Sequence, residues 1–221
     1  MCGRNSLYVN GKTLKERYSA SLDIEWSKSY NIAPGNSQPV VKKNSPKTLE
    51  RMKWNFIPSF AKSEKEKRKW RKRSLINARI ETVEDKNTFK KSFQERKCLI
   101  PSTGFYEWKD EGNPRKTPYH IQPGKGRIFS MAGFYNDGTF VILTKDSENS
   151  EMSEIHDRTP VILEQSMEDP YLNGEVSRKE LEDSSYDNLE IEQVSRKVNN
   201  PENDSKDVLK LDSRQSSFRD M

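Results

Sequence analysis

The feature that most constrains the fold is a succession of short apolar segments, rich in β-branched and aromatic residues and separated by Gly, Pro, Asn or Asp. Segments of this kind are typical of β-strands, and the turn residues between them favour antiparallel pairing. Asn136-Asp137-Gly138, for example, is a good hairpin connector. The strands predicted in this region are Cys98–Pro101, Gly104–Lys109, Tyr119–Ile121, Ile128–Tyr135 and Thr139–Lys145.

A further strand is predicted upstream, where residues 47–57 alternate between polar and apolar side chains. Met52, Trp54 and Phe56 fall on one face, as in a half-buried strand. The helical patterns are few and short, the clearest at residues 88–96. The sequence therefore predicts an α+β protein whose strands are mostly antiparallel.

The 221-residue length fits one domain, or one domain with a tail. From about residue 195 the composition becomes polar and the apolar periodicity fades. We therefore expect a domain that ends near residue 204, followed by a disordered polar tail over residues 205–221.

The composition also excludes several classes of protein. Hydrophobic residues make up 31% of the chain and charged residues 33%, so the core is modest and the surface heavily charged. No apolar run approaches the ~20 residues that cross a bilayer. The N-terminus contains Arg4 and Lys12 but lacks the apolar segment of a signal peptide. We therefore expect no association with a membrane.

Cys2 and Cys98 are the two cysteines of the chain. Two cysteines provide no disulfide framework, and they suit a reducing intracellular compartment such as the cytoplasm or nucleus. Together with the two histidines, His120 and His156, they lack the spacing of metal ligands. The sequence therefore predicts no metal site and no cofactor.

The net charge of +5 conceals an uneven distribution. Residues 1–145 contain 30 Lys and Arg against 14 Asp and Glu, a net charge of +16, whereas residues 146–221 contain 9 against 20, a net charge of −11. The densest basic segment, residues 62–73, has eight basic residues and two acidic ones around Trp70. Such a segment is either a solvated loop or helix, or a surface that attracts phosphates and stacks a base on Trp70.

The N-terminus begins Met1-Cys2-Gly3-Arg4. Initiator Met is readily removed before a small residue, and the mature chain would then begin with an α-amine beside a thiol. These groups ordinarily titrate near ~8 and ~8.5, so both are close to being nucleophiles at neutral pH. An aldehyde condensed on the amine would lie within reach of the sulfur and close into a thiazolidine. The alternative is that Met-Cys is an accident of a frayed terminus.

Three further segments contain candidate catalytic or binding residues. Glu107 is flanked by three aromatic residues, which would desolvate its carboxylate and raise its pKa, unless it is an edge-strand Glu paired with a lysine. His156 lies beside Arg158 at a predicted helix-to-strand junction, although a lone His is more often structural. Asn77 and Arg79 stand two residues apart in an extended segment, so their side chains share a face. Asn77 would hydrogen-bond an amine or carbonyl, and Arg79 would bind a phosphate. The alternative is that each residue has a structural role.

Eight motifs, in a fixed order, cover almost the whole chain to about residue 204. They are MCGR at 1–4, YNIAPG at 30–35, WNFIPSF at 54–60, INARIET at 76–82, CLIPSTGFYEW at 98–108, ILT at 142–144, IHDRTPVIL at 155–163 and VSRKVN at 194–199. In these motifs the chain resembles the SRAP family, the SOS response-associated peptidases. The resemblance implies one barrel-like SRAP domain over residues 1–204 and a sensor of abasic sites in single-stranded DNA.

The resemblance also implies roles for individual residues. Cys2 would form the crosslink, first as an imine and then as a thiazolidine, and Asn77 would orient its amine. Glu107 would shuttle protons during Schiff-base formation and Met1 removal, and His156 would assist sugar-ring opening and reversal. Autoproteolytic removal of Met1 accounts for the name peptidase, and we expect a monomer that partners abasic single-stranded DNA. The DNA contacts implied are Arg4, Arg79 and Arg158 to phosphates, with Asn31, Pro34, Trp54, Phe60 and Thr144 lining the path.

The chain departs from the family pattern at a few positions. Asn55 stands where the family usually has Gly, and Thr159 stands where Met or Arg is more typical. Phe60 stands where the family has an aromatic residue that is often Trp. The basic insert at residues 62–73 is longer than in compact bacterial members. Phe60 keeps a face for stacking.

Two other functions remain as hypotheses. Class II glutamine amidotransferases also begin Met-Cys-Gly, with the thiolate as nucleophile and the α-amine as base. A non-catalytic basic module would bind single-stranded nucleic acid through residues 62–73 and counterion release.

Overall fold

The computed structural model describes residues 2–22, 24–43, 47–148, 150–186 and 188–211. The strands of this part of the chain are β1 (Asn5–Leu7), β2 (Ser21–Leu22), β3 (Ser29–Ile32), β4 (Ser37–Lys42), β5 (Thr48–Trp54), β6 (Asn77–Arg79), β7 (Lys97–Ser102), β8 (Gly104–Lys109), β9 (Thr117–Gln122), β10 (Phe129–Asn136), β11 (Thr139–Asp146), β12 (Arg158–Pro160), β13 (Ile162–Leu163) and β14 (Glu190–Gln193). The α-helices are α1 (Gly11–Tyr18), α2 (Glu64–Arg71), α3 (Lys90–Glu95), α4 (Gln165–Asn173) and α5 (Arg178–Asp183). Short 3-10 helices cover Ile80–Thr82, Glu151–Glu154, Arg196–Asn199 and Lys206–Leu209.

The larger sheet closes on itself. Its strands follow the order β12-β11-β10-β7-β4-β5-β2, and β11 also pairs with β5. This last pairing is parallel, with Thr139 opposite Lys53 and Phe140 opposite Trp54. The strands β11, β10, β7, β4 and β5 therefore form a closed ring, which removes the free edges of these central strands. The predicted barrel-like, mostly antiparallel α+β fold is confirmed.

Aromatic side chains fill the barrel. Trp54 is fully buried and stacks on Phe140 with ring centroids 6.1 Å apart. Phe134 lies edge-on to Phe56 at 5.2 Å and to Phe89 at 5.7 Å. Such edge-to-face pairs add a specific contribution to the burial of their large apolar areas. The alternation predicted for residues 47–57 is confirmed, since Met52, Trp54 and Phe56 all face this core.

The smaller sheet contains the N-terminal strand. Its order is β14-β9-β8-β1-β3, so β1 lies between β8 and β3 rather than at an edge. Asn5 pairs with Phe105 and Ser6 with Gly104 in antiparallel register, and the N–H of Tyr106 donates to the carbonyl of Arg4 at 2.9 Å. This register extends residues 2–4 alongside the second half of β8.

Helix α4, which the sequence patterns did not predict, is joined to α1 by a buried ion pair. Arg17 donates two hydrogen bonds to Glu168, at 2.7 and 3.0 Å. Glu168 also accepts from Ser130 at 2.6 Å, and Ser130 is 2.9 Å from the Tyr18 hydroxyl. A bidentate Arg–carboxylate pair inside such a network is satisfied on both sides. The cluster therefore fixes both helices against β10.

The C-terminal segment differs from the prediction. Residues 205–211 were expected to begin a disordered tail, but Lys206–Leu209 is a 3-10 helix with Val208 fully buried. Val208 packs with Tyr106, Val194 and Val198. One apolar side chain at the right position was enough to extend the packed structure. The rest of the predicted tail, residues 212–221, lies outside the described residues.

Among the described residues, no helix combines the length and apolar character needed to cross a bilayer.

A buried histidine lies behind β8. His120 is 2% exposed and its Nε2 is 3.0 Å from the Ser6 hydroxyl. A Cβ on Gly104 would lie 2.0 Å from this Nε2, so only glycine fits there. Burial lowers the pKa of His120 to about 4.

We predict that His120 makes the protein less stable as the pH falls from 7.5 to 5. The unfolded chain takes up a proton below about pH 6.5 while the folded chain does not, which lowers the free energy of unfolding by ~2 kcal/mol at pH 5. Urea unfolding of the wild type and of His120→Asn at both pH values measures the part of this loss that is due to His120, because all other titratable groups are common to the two proteins. Identical pH dependence of the two proteins would contradict a neutral buried His120.

Candidate active site

The N-terminal cysteine is held beside Glu107. The β1–β8 register places Gly3 and Cys2 along Tyr106 to Trp108, and the thiol of Cys2 is fully buried. The negative charge of Glu107 acts on this thiol and, after burial, is the second cause that raises the pKa of Cys2. Cys2 is therefore a neutral thiol in this environment, not a thiolate.

A residue of the larger sheet reaches the same cysteine. Asn77, at the start of β6, donates from Nδ2 to the Cys2 carbonyl at 2.8 Å. β6 is held in place by parallel pairing with β11, where Asn77 lies opposite Ile142. Within the described residues, the Oδ1 of Asn77 is buried and has no hydrogen-bond partner. A buried unsatisfied acceptor is uncommon and is typical of functional sites.

Glu107 itself is strongly perturbed. Its side chain is buried, the residue being 2% exposed, and burial raises its pKa to about 7, to which the nearby charge of Asp157 adds. The predicted upward direction of the pKa is confirmed. A carboxyl group with this pKa is present in both protonation states at neutral pH, as general acid–base catalysis requires.

His156 lies in the turn between Glu151–Glu154 and β12. Burial lowers its pKa, so the ring is neutral at pH 7. Its Nδ1 contacts both the Asp157 carboxylate, at 2.5 Å, and the backbone N–H of Arg158, at 3.1 Å. A neutral ring with its proton on Nε2 accepts from Arg158, whereas an imidazolium donates to Asp157. The ring has a partner in either state, and Asp157 links the turn electrostatically to Glu107.

The C-terminal segment closes one side of the site. Arg4 donates from Nη1 to the Asn31 side-chain oxygen and to the Val198 carbonyl, both at 2.8 Å, and its guanidinium lies 5.9 Å from the centre of the Trp108 ring. Trp108 in turn donates to Asn199 at 2.7 Å. Arg4, two residues after Cys2, and Trp108, next to Glu107, are thus fixed by residues 198–199.

Four of the predicted DNA contacts are buried and already engaged. Asn31 donates to backbone carbonyls of residues 198–203, and Trp54 donates to the Ile76 carbonyl at 2.9 Å. Thr144 is fully buried, and Arg158 binds the Glu81 carboxylate at 2.7 and 2.9 Å. Their polar groups contact other parts of the fold, and their contact with DNA stays a prediction.

Three other predicted contacts are exposed: Pro34, Arg79 and Phe60, the last with 49% of its surface accessible. Arg79 is on β6, two residues beyond Asn77 and on the same side of the strand. Arg4 is half-buried. The two cationic groups, Arg4 and Arg79, therefore lie two residues beyond Cys2 and Asn77, respectively.

The sequence analysis missed two aspartates around the site, Asp157 and Asp204. Asp157 interacts with both His156 and Glu107, and its position in the motif next to His156 was the available signal. Asp204 accepts from the backbone N–H groups of Tyr30, at 2.5 Å, and Asn31, at 2.9 Å, and so ties the C-terminal segment to β3. No local pattern around Asp204 indicated this long-range contact.

The comparison with known proteins agrees with these motifs. Residues 1–201 match the family described as SOS response associated peptidase (SRAP). The chain belongs to the SRAP family. The abasic site processing proteins YoqW and YoaM of Bacillus subtilis are each 33% identical to it over 227 residues, which is 95% of this chain and 99% and 97% of those proteins.

A solved structure shares the SRAP fold described above. The crystal structure of a protein from Bacteroides thetaiotaomicron superposes with a TM-score of 0.81 at 24% identity, covering 96% of this chain and 100% of that one.

We predict that Arg158 stabilises this SRAP domain and that Arg79 does not. Arg158→Met leaves Glu81 without its bidentate partner and should lower the free energy of unfolding by about 2–3 kcal/mol, somewhat less than for a fully buried pair because Glu81 is partly exposed. Arg79→Met removes the same charge from an exposed site and is the matched control, with an effect of about 0.5 kcal/mol or less. Chemical denaturation measures both; equal losses in the two variants would contradict the structural role of Arg158.

Proposed function

We propose that this protein processes abasic sites by trapping them covalently in single-stranded DNA. The observation that carries the proposal is the hydrogen bond from Asn77 to the Cys2 carbonyl, at 2.8 Å, beside the buried carboxyl of Glu107. The names of the relatives, which are abasic site processing proteins, give the substrate. An abasic site exposes a sugar aldehyde, and an N-terminal aminothiol is a suitable trap for one.

The reaction begins with removal of Met1, which gives Cys2 a free α-amine. Glu107 lies beside Cys2, and in the proposed autoproteolysis it takes a proton from the attacking water, whose oxygen bonds to the Met1 carbonyl carbon, and returns it to the leaving amine of Cys2. The Oδ1 of Asn77 is a buried acceptor beside Cys2. It can accept a hydrogen bond from an N–H of the new amine and so aim the nitrogen lone pair at the aldehyde.

The amine then attacks before the sulfur. The raised pKa of Cys2 keeps its sulfur protonated, whereas the amine ordinarily titrates near ~8. Attack of the amine on the aldehyde gives a carbinolamine. Its hydroxyl leaves as water with the proton from Glu107, and the nitrogen then returns a proton to the Glu107 carboxylate, which gives the imine. The thiol next adds across the C=N bond: the S–C bond forms, the thiol proton passes to the nitrogen, and the ring closes as a thiazolidine.

His156 serves the steps that need a second proton donor. Ring opening of the abasic sugar requires a proton on the ring oxygen, and reversal of the adduct requires one on the leaving nitrogen or sulfur. When Nδ1 accepts from the N–H of Arg158, the ring proton lies on Nε2, which is then the nitrogen that donates it. Arg4 and Arg79 supply positive charge for the phosphates, and Phe60 and Pro34 supply apolar surface along the strand.

Membership of the SRAP family favours this function over the two alternatives. Glutamine amidotransferase activity rests on the Met-Cys-Gly terminus alone, which the family shares. A non-catalytic nucleic-acid module leaves the perturbed Glu107 and the contact between Asn77 and Cys2 without a role.

We expect the mature protein to gain the mass of an abasic oligonucleotide when the two are mixed. Cys2→Ala retains the amine but lacks the sulfur, so it should give a product only after borohydride reduction of the imine. Cys98→Ala, which removes the other buried thiol, should crosslink like the wild type. Intact mass spectrometry also reports loss of Met1. A stable, unreduced adduct of Cys2→Ala would reject the thiazolidine, and no adduct of the wild type would reject the proposed function.

We predict that the rate of crosslinking at saturating protein has its maximum between about pH 7 and 8. Below about pH 8 the amine is increasingly protonated, and above about pH 7 Glu107, whose pKa is about 7, loses the proton that it delivers to the departing hydroxyl. Glu107→Gln should be slower by about 10²–10⁴-fold and should lose the decrease above pH 7. The control is Glu192→Gln, at an exposed position of the same sheet. An unchanged pH profile in Glu107→Gln would contradict its role as the acid.

A further inference from the structure

Helix α2 is a feature of the fold that the catalytic site does not use. Ser63 and Glu66 form a capping box at its N-terminus, which explains why this highly charged segment is helical. Its acidic residues lie in the first turn and basic ones in the last turn, as the helix dipole favours. None of its residues is buried. The helix therefore contributes little to the core, and Lys65, Arg68 and Lys69 are exposed on its surface.

An aromatic cluster accompanies these charges. Trp70 lies 5.5 Å from Phe60 with the rings nearly perpendicular, and the Arg73 guanidinium lies 4.4 Å from the Trp70 ring centre. Phe60 is the more exposed ring, at 49%, and Trp70 is half-buried. We call Phe60, Trp70 and Arg73 the stacking platform. In this cluster an accessible aromatic face and a cation stand side by side, which are the two kinds of group that single-stranded nucleic acid uses for stacking and phosphate contact.

The helix is fixed to the barrel. Lys67 forms an ion pair with Asp137 of the β10–β11 turn at 2.8 Å. Asn55, which departs from the usual glycine of the family, donates to the Arg71 carbonyl at 2.8 Å. These contacts lie at both the middle and the end of α2. The stacking platform is consequently presented in one orientation.

The stacking platform also lies close to the catalytic site along the chain. The helix is inserted between β5 and β6, and the N–H of Phe56 donates to the Leu75 carbonyl at 2.8 Å, which closes the base of the insert. Arg73 precedes Asn77 by four residues, so their Cα atoms are at most ~14 Å apart. A strand whose abasic sugar lies at Cys2 therefore has its neighbouring nucleotides within reach of α2.

We propose that α2 and the stacking platform bind unpaired nucleotides that flank the abasic site. The inference rests on the proposed function for the position of the strand, and it adds a second contact that selects single-stranded over duplex DNA. Exposed aromatic rings stack on unpaired bases of any sequence, and neighbouring Lys and Arg side chains bind the phosphates between them. An acidic protein partner would pair with the Lys and Arg side chains of α2 but would offer no base to stack on the rings of the stacking platform. The combination of charges and rings therefore favours a nucleic acid.

The first test is the affinity for undamaged single-stranded DNA, measured by fluorescence anisotropy. Trp70→Ala should raise the Kd by about 5- to 150-fold, the range found for one lost base–aromatic contact. Trp70→Phe keeps a ring and should retain most of the affinity, which separates stacking from a folding defect. An unchanged Kd in Trp70→Ala overturns the proposal, and so does an equal loss of affinity for blunt duplex DNA.

The second test is the salt dependence of binding. Lys65→Gln with Lys69→Gln removes two charges from α2 while preserving helix propensity, and should reduce the slope of log Kd against log salt by about 1.4, as expected for two lost phosphate contacts of a single strand. Lys12→Gln with Lys15→Gln removes the same charge from exposed positions of α1 and should leave the slope unchanged. Equal slopes for the two double variants would overturn the role of α2.

Crosslinking separates this inference from the proposed function. At saturating protein, Trp70→Ala should trap abasic DNA at the wild-type rate, because α2 contributes binding and no chemistry. The half-saturating concentration should rise by the same factor as the Kd. If the wild type binds DNA through Trp70 but forms no adduct, the proposed function fails and the nucleotide contact stands.

Discussion

The pairing of β1 with β8 is the interaction on which the site depends. Chain termini are commonly frayed, but here the strand that follows Cys2 lies between β8 and β3 inside a sheet, and the Arg4 carbonyl accepts from Tyr106. A shift of this antiparallel register by one residue would turn every β1 side chain to the opposite face. The backbone hydrogen bonds of β1 therefore determine that Cys2 lies beside Glu107, and Asn77 completes the arrangement from the other sheet.

Features that depend on residues close together in the sequence could be predicted, whereas features that depend on residues far apart in the chain could not. Alternation in residues 47–57 and the turn Asn136-Asp137-Gly138 are local signals, and both the strand and the hairpin are present. The perturbation of Glu107 was also predictable, since its aromatic neighbours in sequence desolvate it. The parallel closure of β5 with β11 and the burial of Val208 depend on residues far apart in the chain, for which no local pattern exists.

The same distinction explains which motif residues are accessible. Arg158 and Asn31 belong to motifs that match the SRAP family, and both are buried. Arg158 donates to Glu81, and Asn31 donates to carbonyls of the C-terminal segment. A motif reports that a residue type is required, but not whether the requirement is stability or binding. Arg79 and Phe60 are exposed, so they can meet a ligand without any rearrangement of the fold. Much of the family pattern is thus devoted to holding two sheets and a C-terminal segment around one cysteine.

The geometry that suits Glu107 to catalysis also reduces the stability of the fold. A carboxyl group with a folded pKa of about 7, well above its unfolded value, is stabilising as the neutral acid, and that contribution is lost as the pH rises from about 4.5 through 7. Above pH 7 the buried carboxylate costs about 3 kcal/mol. His120 has the opposite effect, because its lowered pKa makes the fold less stable toward acid. The two groups lie on the paired strands β8 and β9, and between about pH 4 and 7 their opposite effects largely offset each other. The sheet that positions Cys2 can therefore hold a carboxyl group that is present as both acid and base at neutral pH without a steep dependence of stability on pH.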